Sequence, residues 1–309
     1  MKILFITSTR LGDGVISTAA LNYFVDKYPE CKITVACGSL VKGIHEQFSN
    51  VEKVIVLKKE PYNKHWIKLW LEVYKIKWDI VVDIRNSAVS RLIFAKKKYI
   101  WGKNNVNKHK VEQIAEFLGT SERLYPKLVF KPEVLEKAKR FVKDGERVLA
   151  IGPTANWYPK TWPAENFIEL IKKLDAEYSY DKIAIITAPT EEEVGYKVLN
   201  SIPENKRIDV IAKASPELSA AIISRCSIYI GNDSGLMHCA AATGIPTLGL
   251  FGPTNYNNYA PSGKQAAYIS TPEDYRDLLK TITDSKNLPC LMVSLTVESV
   301  FQAAKKLIK

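Results

Sequence analysis

The chain has 309 residues, 46% of them hydrophobic and 25% charged, the balance of a globular protein long enough for two domains. No run of 18 uninterrupted apolar residues occurs, and the opening MKILFITSTRLGD lacks a signal-peptide cleavage pattern, so a cytoplasmic chain that at most touches a membrane surface is expected. The five cysteines, Cys31, Cys37, Cys226, Cys239 and Cys290, form no C-x-x-C pair, which argues against a disulfide framework or a zinc site and for buried thiols.

The formal net charge of +11 is unevenly spread, because 16 Lys and Arg stand against 6 Asp and Glu between Val41 and Lys110. That block lacks a recognisable nucleic-acid-binding motif. An anionic membrane surface or an acidic acceptor accounts for it at least as well, and so does a solvated basic face.

Taken in chain order, the apolar run over 2–7 suits a buried strand, Arg10-Leu11-Gly12-Asp13-Gly14 reads as a turn, and a helix follows from Val15 to Lys27. Asp13 then stands at the carboxyl edge of a strand, where open α/β sheets bind ligands. Its carboxylate, next to a helix N-terminus, is either a helix cap or a general base. The glycines do not form G-x-G-x-x-G, which excludes a dinucleotide fingerprint. Further strands are expected over 33–37, 51–57, 80–84 and 99–101, with helices over 62–77 and 110–118, the alternation of a mostly parallel α/β sheet. Trp66, Leu69, Trp70 and Val73 recur at helical spacing and read as a packing stripe rather than a sugar platform, with lipid contact by part of it as the alternative.

A charged helical stretch and a glycine turn over 132–145 precede a second alternating series, with strands over 148–151, 183–187, 208–211, 228–230 and 247–251. The expected organisation is a first domain over 1–145, a second over 146–290, and a closing amphipathic helix within 291–309. The loop over 152–163 places Thr154 and Lys160 before a helix over 165–178, with Pro163 suited to its first turn. It is either a diphosphate clamp or a solvated lysine beside a Trp-Pro packing element.

The stretch YIGNDSGLMHCAAATGIPTLGLFGPT over 229–254 reads as strand, tight turn, helix and strand. Asp233 and Ser234 supply cap oxygens, and Gly235 leaves the backbone approachable at the positive end of an Ala-rich helix. A phosphate-bearing ligand fits there; an ordinary capped βαβ unit is the plain alternative.

Three segments, RLGDGVISTAAL, PKTWPAENFIEL and GNDSGLMHCAAATGIPTLGLFGPT, resemble in wording, order and separation the ADP-heptose:lipopolysaccharide heptosyltransferase family, glycosyltransferase family 9. The tail PCLMVSLTVESVFQAAKKL resembles that family's closing segment, while Ala19 stands where the family usually has proline. The resemblance implies an α/β chain with the GT-B fold, two Rossmann-like domains with parallel sheets facing across a cleft and the closing helix packing back toward the first domain. It implies an inverting transfer of heptose from ADP-heptose to the inner core of lipopolysaccharide, with neither metal nor cofactor. Asp13 matches the family's base, Lys160 the residue that neutralises the donor pyrophosphate, and Asp233 the contact to the sugar hydroxyls. Ser234, Gly235 and Leu236 match the helix start facing phosphate and nucleoside, and His238 is carried over as a further donor-site residue; the 154–159 loop departs from the family's wording, so Thr154 stands as a donor-site residue on the loop reading alone. The implied partners are an ADP-sugar donor, an anionic lipopolysaccharide-core acceptor and, peripherally, the cytoplasmic face of the inner membrane; nucleic acid is not expected. A GT-B enzyme with another nucleotide sugar or a protein acceptor, and a non-catalytic nucleotide-sugar-binding module, are the alternatives.

Overall fold

The computed structural model describes residues 1–102, 105–284 and 287–308, and the chain divides into two units, Met1–Lys131 and Pro132–Lys309. Lys103, counted in the basic block, lies outside the described residues. The division falls ahead of the expected 145, because the charged stretch joins the second unit: helix α6 (Pro132–Lys139) packs on a helix of that unit, and the Arg225 guanidinium donates to the Val142 carbonyl at 2.7 Å.

The first unit alternates β1 (Lys2–Ile6), α1 (Leu11–Lys27), β2 (Lys32–Cys37), α2 (Ser39–His45), β3 (Val51–Val56), α3 (Lys64–Val73), β4 (Trp78–Asp83), α4 (Val89–Leu92), β5 (Ala95–Ile100) and α5 (Lys110–Leu118). Its five strands are all parallel in the order β3-β2-β1-β4-β5. Central strands such as β1 are apolar almost throughout because helices cover both faces of a parallel sheet. Leu69 and Val73 of α3, with Trp66 and Trp70 beside them, pack on Leu4, Ile6, Val81 and Ile55, so the tryptophan stripe is packing.

Three boundaries differ from expectation. Helix α1 begins at Leu11, so Asp13 lies in its first turn and Arg10, not Asp13, is the cap residue. Gly14, in the same turn, lets α2 approach closely: a Cβ there would stand 2.2 Å from Val41 Cγ1. Helix α3 is shorter than 62–77, since Tyr62 and Asn63 adopt positive φ of 54° and 58° ahead of it. Strand β5 is longer than 99–101; its Lys96-Lys97-Lys98 run hides it, and lysines are a usual covering for an edge strand.

His45, at the end of α2, is fully buried with both ring nitrogens unpartnered, and desolvation holds its imidazole down at about 4. In the unfolded chain a histidine takes up its proton near 6.5, so the native state loses stability as pH falls from about 6.5 to about 4, by up to about 3 kcal/mol. Urea unfolding at pH 7 and pH 4.5 should show His45→Leu losing about 2 kcal/mol less than the unsubstituted chain on acidification. Equal losses would mean that His45 titrates normally.

The second unit continues from α6 with β6 (Val148–Gly152), α7 (Ala164–Tyr178), β7 (Lys182–Thr187), α8 (Glu192–Asn200), β8 (Arg207–Ile211), α9 (Pro216–Ile223), β9 (Ile228–Asn232), α10 (Gly235–Thr243), β10 (Thr247–Phe251), α11 (Tyr256–Tyr259), β11 (Ala266–Ser270), α12 (Tyr275–Lys280) and α13 (Val297–Lys305). Its six strands are parallel in the order β11-β10-β9-β6-β7-β8. Pro163 caps α7 rather than opening it. The closing helix α13 is amphipathic as expected, and within this unit Val297, Val300, Phe301 and Ala304 join the core of α7 and the sheet.

Cys31, Cys37, Cys226 and Cys239 are buried, whereas Cys290 is half-buried. Burial pushes the Cys37, Cys226 and Cys239 thiols up to about 12, which keeps them protonated and unreactive. Among the described residues no helix is long and apolar enough to cross a membrane.

Candidate functional site

In an open parallel sheet the crevice for a ligand lies at the carboxyl edge where the strand order reverses, because flanking loops diverge there. In the second unit that point lies between β6 and β9. The two strands meet there through glycines, Gly152 opposite Gly231. The Tyr229 side chain lies over both: a Cβ on Gly152 would stand 1.9 Å from its hydroxyl, and one on Gly231 2.6 Å. Buried Tyr229 thus forms a floor that any larger residue at either glycine would displace.

Two loops leave this floor. The one after β6 carries Thr154, buried, and then a short 3-10 turn, Tyr158–Lys160, that presents Lys160. It is fastened on three sides. The Trp162 amide donates to Asn232 Oδ1 at 3.0 Å, the Trp162 indole donates to the Leu295 carbonyl at 2.8 Å, and the Leu291 amide donates to the Pro159 carbonyl at 2.9 Å. The second loop, after β9, carries Asp233 and then Ser234, whose hydroxyl caps α10 by accepting from the Met237 amide. Gly235 and Leu236 open α10, so the first amides of that helix point out of the sheet edge beside Asp233.

The loops bring three of the expected residues together. Lys160 Nζ lies 3.2 Å from Asp233 Oδ2, and His238 Nε2 lies 3.9 Å from Asp233 Oδ1 on the other side of the carboxylate. The Lys160 and Asp233 side chains are only 13% and 10% exposed, so the pair is nearly desolvated. Such a pair holds its geometry without adding much stability, since the cost of desolvation offsets the attraction. Two polar groups not singled out from the sequence stand at the same sheet edge, Asn232 Nδ2 and Thr254 Oγ1, both buried and without a hydrogen-bond partner. Buried polar groups are rarely left unpaired except where a ligand or water completes them. Asn232 also braces the Lys160 loop through Trp162. Its only sequence signal is its place ahead of Asp233 in GNDSG.

Asp13 belongs to the first unit. It is half-buried in the first turn of α1, which follows β1, and the strand order of that sheet reverses between β1 and β4. Helix α5 packs on α1, and its first residue is Lys110. Half burial pushes the Lys110 ammonium below its usual range, and the Asp13 carboxylate partly opposes that shift. Asp13 therefore has a cationic neighbour that the sequence pattern did not single out. Lys110 also lies 5.9 Å from the centre of the Trp101 ring.

The profile of glycosyltransferase family 9 (heptosyltransferase) matches residues 96–286. A curated relative, lipooligosaccharide heptosyltransferase 2 of Campylobacter jejuni, is 28% identical over 284 residues, covering 87% of each chain. Among solved structures, the glycosyl transferase family 9 protein of Veillonella parvula superposes with a TM-score of 0.80 at 23% identity over 99% of this chain and 97% of its own. The ADP-heptose heptosyltransferase II of Escherichia coli gives 0.78 at 18% identity, covering 100% of this chain and 98% of its own. These likenesses give the chain the GT-B fold. With the family profile spanning more than half its length, the chain is a glycosyltransferase and belongs to family 9, the heptosyltransferases.

Proposed function

We propose that this glycosyltransferase moves a heptose from ADP-heptose to the inner core of lipopolysaccharide, with inversion at the anomeric carbon. The observation that carries the donor half is the Lys160–Asp233–His238 cluster at the strand-order reversal of the second unit, beside the start of α10. In this reading the ADP diphosphate takes the ammonium of Lys160 and the first amides of α10, and Ser234, Gly235 and Leu236 keep the backbone open to phosphate and nucleoside. Asp233, released from Lys160, accepts from the sugar hydroxyls, with His238 beside it. Thr154, Asn232 Nδ2 and Thr254 Oγ1 complete the polar contacts of the donor.

The reaction is a single displacement. The acceptor hydroxyl loses its proton to Asp13 as its oxygen bonds to the anomeric carbon from the face opposite ADP. The bond from that carbon to the β-phosphate oxygen breaks, and its electron pair leaves with ADP. Charge grows on the departing diphosphate, where Lys160 and the α10 amides stabilise it, so no metal or cofactor is needed for that task. Because the acceptor is lipid-borne, the enzyme works peripherally at the cytoplasmic face of the inner membrane.

Thermal-shift titration with ADP, UDP, GDP and CDP in parallel tests the donor. A nucleotide at 100 times its dissociation constant stabilises the native state by about 2.7 kcal/mol. Stabilisation by ADP alone is expected. A preference for UDP or GDP would defeat the donor assignment, and no response to any of the four would defeat the reading of the second unit as a donor site.

A further inference from the structure

We infer that the outward side of α3, with the exposed apolar residues around α4, is the surface by which this protein docks on an anionic lipid bilayer. The inference rests on the reading of a membrane-borne acceptor and assigns the contact to one face of the first unit. Helix α3 has two apolar sides, and the core needs one. Leu69 and Val73 are buried, with Trp66 and Trp70 packed beside them. On the opposite side Ile67 and Leu71, one turn apart, are 59% and 57% exposed, and Tyr74 follows at 37%. Helix α4 packs against α3, and there Leu92 and Phe94 are 69% and 62% exposed.

Single exposed apolar residues are ordinary, but a cluster calls for a partner. Six of the fifteen large apolar side chains exposed among the described residues fall between Tyr62 and Phe94. The charge around them selects that partner. At 100° per residue, Lys64 and Lys68 share the outward side of α3 with Ile67 and Leu71, and Lys75 follows with its ammonium 5.5 Å from the centre of the Tyr74 ring. All three lysines are exposed, within the block that carries most of the net charge. Apolar side chains that enter the acyl boundary, interleaved with long flexible ammonium groups that reach anionic headgroups, are the pattern of a helix lying in a membrane interface. Lys68 is also paired with Glu60 at 2.6 Å; the cations along the apolar stripe are all lysines, whose flexible ammonium groups suit a fluid surface of many equivalent anions.

The test is co-sedimentation of the full chain with vesicles of phosphatidylcholine, with and without phosphatidylglycerol. Partition to the anionic vesicles is expected, weakening as salt rises, and Ile67→Glu/Leu71→Glu should reduce it about ten-fold at unchanged melting temperature. Both side chains are exposed, so the substitutions leave the core intact. Unchanged vesicle binding in the double variant would overturn the inference. So would a native dimer that the double variant turns into a monomer without effect on vesicles, since the face would then join two copies of the chain. Transfer to a delipidated core oligosaccharide, which needs no bilayer, separates this inference from the proposed function. Retained transfer with no vesicle binding sinks the docking surface alone, whereas vesicle binding with no transfer to either acceptor form sinks the proposed function alone.

Discussion

Asp13→Ala should slow heptose transfer about 1000-fold while leaving the thermal shift produced by ADP unchanged, because a positioned base, the role proposed for Asp13, contributes about 10²- to 10⁴-fold and the proposed donor contacts lie in the other unit. The structural cost should be small. Asp13 is half-buried, does not cap α1, and its interaction with the helix N-terminus is worth about 0.5 kcal/mol. The loss should therefore fall on kcat, with the KM for ADP-heptose within a factor of about three. A variant transferring within ten-fold of the unsubstituted rate would remove Asp13 from the chemistry. Asp13→Asn sharpens the test: it keeps the size and the polar contacts but cannot take the proton, so it should be as slow as Asp13→Ala.

The second large effect is expected at Lys160. Lys160→Met removes the cation proposed to meet the diphosphate, and loss of one such stabilising group costs about 10²- to 10³-fold in kcat. It also leaves the Asp233 carboxylate, 10% exposed, without its 3.2 Å partner, with His238 Nε2 farther off at 3.9 Å. Breaking a buried pair from one side costs about 3 kcal/mol. The two losses separate in a double variant. Lys160→Met/Asp233→Asn should recover most of the stability, since the stranded charge is gone, and recover none of the transfer or the ADP-induced shift. If the double variant regained both, Lys160 would be a structural partner of Asp233 and nothing more. Full activity in the single variant would place the diphosphate elsewhere.

The sequence was legible where a function rests on local pattern. The apolar runs of the central strands and the Ser234 cap before an Ala-rich helix each lie within about a dozen residues, so periodicity and capping chemistry suffice to find them. Edges and ends were harder. Strand β5 is half-exposed and lysine-rich, so its alternation does not read as a strand until β4 is beside it. The close approach of α1 to α2 at Gly14 and Val41 is a contact between two helices rather than a property of either.

By itself the sequence determined two parallel α/β units and their central strands, and it named Asp13, Lys160 and Asp233 as candidates for the site. The tertiary structure alone decided what meets what. It set Lys160 against Asp233 across 73 residues, braced their loop through Asn232 and Trp162, and placed Lys110 as the charged neighbour of Asp13. It also assigned α6 and α13 to the second unit and left the outward side of α3 uncovered. The physical reason is one of range: hydrophobic period and capping act over a few residues of chain, whereas burial and ion pairing depend on which distant segments a sheet brings to the same edge.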